Sequence, residues 1–205
     1  MSYANWLTVS PTTGSGNGTV SVSTGSEHSG RVARSTTLTI TAANVADQTV
    51  TVNQAGKPEY VDAPASATAV KGGQTVTITG TSNSTALTFS LGTGDLSITL
   101  PSAYTANGIT VENGTAITGD PGASAEYNWS IAVVVSENTS IESLSKQIIV
   151  TADGGMTDTC TLTQAAGDPY VYVKKDGELI SSISLTYQGT AVSFDVESNT
   201  SWAIS

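Results

Sequence analysis

The chain has 205 residues, 38% of them hydrophobic but only 12% charged, and its 7 Lys plus Arg against 17 Asp plus Glu give a net charge of −10. That acidic excess repels nucleic-acid phosphates and anionic membrane surfaces, so neither is an expected partner. Thr, Ser, Gly and Asn make up the uncharged polar remainder, a mixture that suits strands and turns and disfavours helices, so an all-β fold is expected.

One phrase occurs twice and divides the chain. An alternating strand ends in Gln54, Ala55 and Gly56 before Pro58, and another ends in Gln164, Ala165, Ala166 and Gly167 before Pro169. These stops define segments 1–56, 57–167 and 168–205. Only the middle one has the size of a complete small β domain.

In the first segment, strands are predicted over 6–9 and 19–23, followed by a hairpin of 37–41 with 49–53 joined by 42–48. Leu38 with Ile40, and Val50 with Val52, share faces, the pattern of half-buried antiparallel strands. The second segment offers strands at 59–61, 74–79, 86–90, 96–100, 108–111, 127–135 and 146–152, and a last one ending at Gln164. Tyr127, Trp129, Ile131, Val133 and Val135 fall on one face of the longest, while Ala132 and Val134 on the other face predict a central strand. Turns at Asn107 and Gly108, at Asn113 and Gly114, and at Asp153 and Gly154 separate them, as in a sandwich. The third segment predicts strands at 170–173, 179–187, 190–196 and 198–204, with a turn at Asp176 and Gly177.

Residues 5–11 with Gly14, then 31–34, 38–40 and 50–54, resemble the latter part of a BACON-type domain. Residues 192–202, a strand leading through Ser198 and Asn199 to Trp202, resemble its opening part. The middle segment resembles a divergent copy that keeps 76–79, Ser82, Asn83 and Gln164 but has Ala86 or Leu87 where the Trp would stand. The resemblance implies tandem immunoglobulin-like (BACON-like) antiparallel β-sandwiches: a C-terminal part at 1–56, a complete domain at 57–167 and an N-terminal part at 168–205, with incomplete half-domains at both termini. The family occurs in Bacteroidetes carbohydrate-active proteins and in crAss-like phages of Bacteroides. Its secreted members imply carbohydrate or mucin binding, and its phage members imply a virion role. The start of the chain has no basic n-region or apolar h-region, so no export signal is expected. The leading expectation is therefore an auxiliary (decoration) capsid protein made in the host cytoplasm, with the major capsid protein or another virion protein as partner. A carbohydrate- or mucin-binding adhesion module is the alternative.

Trp6 and Trp202 hold the same place in the repeat, so the end segments are complementary and together approach one immunoglobulin-like domain of about 100 residues. Segment three is expected to dock on segment one of a neighbouring copy by strand addition, with Trp6, Val192, Phe194, Val196 and Trp202 at the interface. The rival is that it folds alone or orders on another protein.

Neither a Ser/His/Asp nor a Cys/His arrangement can be assembled from the single His28, set in a Ser/Gly loop, and the single Cys160, in phase with Leu162. No enzymatic activity, disulfide or cofactor is expected. Asp153 and Asp158 flank a Gly-rich turn that explains them better than calcium does. Trp6, Trp129 and Trp202 are expected in cores, Glu27 and His28 at a solvated loop tip, and Tyr3, Tyr60 and Tyr104 in loops or strand starts. Tyr170 and Tyr172, a same-face pair, are the candidates for glycan contact.

Overall fold

A computed structural model describes residues 3–205. The first unit consists of two separate two-stranded antiparallel sheets: β1 (Leu7–Ser10) with β2 (Ser21–Thr24), and β3 (Arg34–Ala42) with β4 (Val45–Gln54). The hairpin between β3 and β4 is tighter than the sequence pattern predicts. Its strands run on to a two-residue turn in which Asn44 takes a left-handed φ of 61°, and a register shift between Ile40 and Ala42 absorbs the mismatch. Of the large apolar side chains described in this unit only Leu7 is buried, while Val20, Val22, Ile40 and Val50 are exposed. Sheets of only two strands each offer too little area to cover these faces.

The middle unit is a complete sandwich. Its strands are β5 (Val61–Asp62), β6 (Ser66–Ala69), β7 (Gln74–Ser82), β8 (Leu87–Leu91), β9 (Ile98–Thr99), β10 (Ala103–Ala106), β11 (Ile109–Glu112), β12 (Tyr127–Val135), β13 (Leu144–Ala152) and β14 (Thr157–Gln164). One sheet has the order β11-β10-β12-β7-β5, with β9 also pairing β12, and the other has the order β6-β14-β13-β8. The unit's opening stretch serves both sheets. β5 pairs β7 antiparallel, and four residues further on β6 pairs β14 in parallel. Neither β6 nor β10 carries a long apolar alternation, which is why the sequence pattern passes over them.

β12 is central because it pairs β7 on one side and β10 and β9 on the other. The predicted reason was different: Ala132 and Val134 face outward and are exposed, so the strand is buried on one face only. Its inner face, with Tyr127, Trp129, Ile131, Val133 and Val135, packs with Ile78, Leu87, Phe89, Ile148, Val150, Cys160 and Leu162. Phe89 stands 5.3 Å from Trp129 in an edge-on contact and 5.2 Å from Tyr104. Trp129 donates its indole N–H to the Thr81 carbonyl (3.2 Å), and the Tyr104 hydroxyl accepts from the Leu87 amide (3.1 Å), so both polar tips are satisfied inside the core. Tyr104, expected in a loop or at a strand start, is thus a core residue of β10.

The third unit is a three-stranded sheet, β16 (Glu178–Leu179), β15 (Val171–Lys175), β17 (Asp195–Ser198). Most of the strands expected over 179–187 and 190–204 are not formed; only β16 and β17 are paired. What does form repeats the middle unit register for register. Val171 faces Ser198 and Tyr172 faces Glu197, as Val61 faces Ser82 and Asp62 faces Thr81. The first unit repeats it likewise, Arg34 facing Gln54 as Leu144 faces Gln164.

The tryptophans separate. Trp129 is 1% exposed, as expected of a core residue. Trp6 is only half-buried, with the Arg34 guanidinium 4.6 Å above its ring. Trp202 is 52% exposed, because the third unit has no second sheet to cover it.

Gly80 fixes how closely β5 and the Trp129 ring approach β7. A Cβ there would overlap both the Asp62 carbonyl and the indole. Gly80→Ala is expected to destabilise the middle unit by about 3 kcal/mol, at the upper end of overpacking costs, read as a lowered urea midpoint by tryptophan fluorescence.

Candidate binding surfaces

The surfaces available for binding are set by the seams between units and by the faces those seams leave open. At the first seam, residues 28–32 of the first unit lie against the loop 120–126 and the end of β7. Arg31 and Val32 donate their amides to the Gly122 and Ala123 carbonyls (2.9 and 3.0 Å), and the Lys57 amide returns to the Gly30 carbonyl (2.9 Å). The Arg31 guanidinium forms a bidentate pair with Asp120, one arm at 2.6 Å, and also donates to the Asn83 carbonyl (3.1 Å). Gly30 is required here, since a Cβ would run into the Ser124 backbone.

Asn83 is completely buried. Its side-chain nitrogen donates to the carbonyls of Ser29 (3.2 Å), Lys57 (3.3 Å) and Pro58 (3.2 Å), and its oxygen accepts from the Tyr60 amide (2.9 Å). His28, expected at a solvated loop tip, is 7% exposed, because its Nε2 donates to the Val32 carbonyl at 2.7 Å and folds the loop inward. Glu27 beside it is exposed, as expected.

The second seam repeats the first. Asn199 donates to the Thr139 and Asp168 carbonyls (3.0 and 2.9 Å) and accepts from the Tyr170 amide (2.9 Å). Asn138 takes the place of His28, donating to the Glu142 carbonyl (2.9 Å) and to Ala165 (3.0 Å). Lys71 and Asp168 pair across this seam. Sequence reasoning missed these residues as a site, although a signal existed: Ser82 with Asn83 recurs as Ser198 with Asn199, and Ser26, Glu27, His28 recurs as Ser136, Glu137, Asn138.

Of the predicted interface residues, Phe194, Val196 and Trp202 come together. With Val171, Val173 and Ile204 they line an open apolar groove of about 540 Å³ on the third unit. Val192 and Trp6 are not in that groove; Val192 is half-buried, and Trp6 belongs to the first unit. Tyr170 and Tyr172 lie on the opposite face of β15, as alternation requires, and stack on each other with ring centres 5.0 Å apart. Lys174 follows on that face, pairs with Glu197 and lies 6.0 Å from the Tyr172 ring.

The candidate nucleophile and metal ligands are otherwise engaged. Cys160 is fully buried and burial pushes its thiol up. Asp153 accepts from the Thr85 hydroxyl (2.7 Å), and Asp158 accepts from the Ala63 and Thr159 amides (2.7 and 2.8 Å). Among the described residues no group of three or more His, Cys, Asp or Glu side chains could hold a metal ion.

The Arg31 guanidinium, through its hydrogen bonds first and its charge second, holds the Asp120 carboxyl below the usual carboxylate range. A depressed carboxylate stabilises the native seam above its unfolded value, about 3.9, and that contribution is lost as pH falls through the lower folded value. The Asp120 carboxyl carbon should therefore titrate by NMR below that of a free Asp, and Arg31→Ala should return it to the ordinary range. An unchanged titration in the variant would remove Arg31 as the cause.

Residues 1–55 match the family described as "BACON: Putative binding domain, N-terminal". No curated protein matches the chain. Among solved structures, one similar chain is described as "NMR structure of the protein from Bacteroides thetaiotaomicron". It shares 16% identity and a TM-score of 0.27, over 55% of this chain and 90% of that one. The chain is all-β, and its first 55 residues are similar to the BACON family.

Proposed function

We propose that this chain is a non-catalytic structural protein whose immunoglobulin-like units bind protein surfaces, its own copies included. The observation that carries the reading is the match between the edges the first unit leaves open and the strands the third unit repeats. In the middle unit, β12 is flanked by β7 and β14 by β6. The counterparts of β12 and β14 in the first unit, β2 and β4, have those edges open. β17 repeats β7 in register. Gln164 at the end of β14 donates to the Val70 and Lys71 carbonyls beyond β6 and to Ser136 (3.0, 3.3 and 2.7 Å). Its counterpart Gln54 reaches only the Ser26 carbonyl, at 3.5 Å, and bonds Arg34 instead. Residues 168–205 of a second copy would bring Val192, Phe194, Val196 and Trp202 over the uncovered face of the first unit, an exchange of the strand-addition kind. Open edges and apolar faces of this sort are otherwise aggregation hazards.

Non-catalytic function is supported by the engagement of His28 in a backbone hydrogen bond and the burial of Cys160. Within this reading, the setting we favour is a phage virion, with the chain as an auxiliary (decoration) protein on the capsid. That setting rests on the sequence resemblance, and the net charge of −10 disfavours nucleic acid and membranes as partners. The second reading, glycan adhesion, is favoured by one observation, the stacked Tyr170 and Tyr172 pair on a half-open face.

Native mass over a dilution series, beside a chain cut after Gly167, tests the self-association. Mass rising in whole-chain steps in the full chain and collapsing on truncation is the expected outcome; a monomer at every concentration would sink it. A glycan array read with Tyr172→Ala decides the second reading, which requires competable binding that the substitution weakens about tenfold or more, the scale of losing one aromatic contact.

A further inference from the structure

The two seams share a few recurring residues and end in the same arrangement. In each, one side-chain amide reaches backward to a carbonyl of the preceding unit, Ser29 or Thr139, and sideways to the connecting segment, Lys57 and Pro58 or Asp168. Its oxygen takes the amide of the first strand-entry tyrosine, Tyr60 or Tyr170. In each, the receiving loop is folded by a side chain that donates four residues ahead, His28 to Val32 or Asn138 to Glu142. In each, the connecting segment carries a proline, Pro58 or Pro169, whose ring fixes φ.

We infer that Asn83 and Asn199 are orientation locks: each fixes the angle between one unit and the next through a plug-and-socket contact that repeats along the chain. A carboxamide fits this task because it donates and accepts in one plane, so three stretches of backbone are held by a single side chain. An aspartate would keep the tyrosine contact and lose the backward and the sideways bonds, which the amide nitrogen donates. Consecutive units therefore hold one another at a set angle, and any surface carried by one unit is presented in a defined direction relative to its neighbour. The inference does not depend on exchange between copies, since both locks lie within one chain. The first lock is the stronger, because Asn83 is completely buried beside the bidentate Arg31–Asp120 pair, whereas Asn199 is half-buried and its seam's Lys71–Asp168 pair is more exposed.

Amide hydrogen exchange followed by NMR on the intact chain, with Asn83→Ala and Asn83→Asp, tests the lock. The amides of Arg31 and Val32, which donate across the seam, should exchange about tenfold faster or more in both variants, as expected when a buried carbonyl contact is lost. The core amides of Ile78, Val133 and Val150 should keep their protection. The Tyr60 amide should open in Asn83→Ala and stay protected in Asn83→Asp, which retains its acceptor. If seam and core amides open together in both variants, Asn83 holds the middle unit and not the angle. If the seam amides do not respond, Arg31 and Asp120 suffice without it. Either result overturns the inference.

Discussion

A carbonyl that leaves a sheet at its end and stays buried needs a donor, and leaving it without one costs roughly 1–3 kcal/mol. Where one unit of this chain passes to the next, several backbone carbonyls converge on buried side-chain amides that donate to them. Asn83 serves Ser29, Lys57 and Pro58; Asn138 serves Glu142 and Ala165; Gln164 serves Val70, Lys71 and Ser136. All three are among the few buried polar side chains. Of the three, Asn83 crosses to the preceding unit through Ser29, while Asn138 and Gln164 tie together the end of the sandwich on which the third unit sits.

The middle unit shows what the pattern achieves when both layers are present. β12 and β7 run opposite each other over nine residue pairs, from Tyr127 facing Ser82 to Val135 facing Gln74. The second sheet closes over that face with Ile148, Val150, Cys160 and Leu162. Gly80 admits the Trp129 ring where any side chain would exclude it. The same strand phrases in the end units, without the opposite layer, leave Val50, Phe194 and Trp202 exposed. An apolar alternation specifies a face to be buried, and burial itself depends on a partner sheet. That difference leaves apolar faces of the end units open where those of the middle unit are covered.

The alternations at 127–135 and 74–79, the turn at Asp176 and Gly177, and the burial of Cys160 in phase with Leu162 followed from the residues alone, because a period of two assigns each side chain to a face before any contact forms. The repeated Gln before Ala and Gly stops a strand both times, since the same local phrase ends β4 and β14. Other features needed the folded chain. β6 and β10 are short and weakly apolar, and pairing with β14 and β12 makes them strands. His28 looked solvated among Ser and Gly, and became buried because a loop can bend its own donor back to Val32, which composition does not encode. Asn83 and Asp120 acquire their roles from residues 54 and 89 positions away. The sequence by itself determined which faces are apolar; tertiary structure alone decided which faces found a cover and which polar side chains reach from one unit to the next, because both depend on contacts between segments distant in the chain.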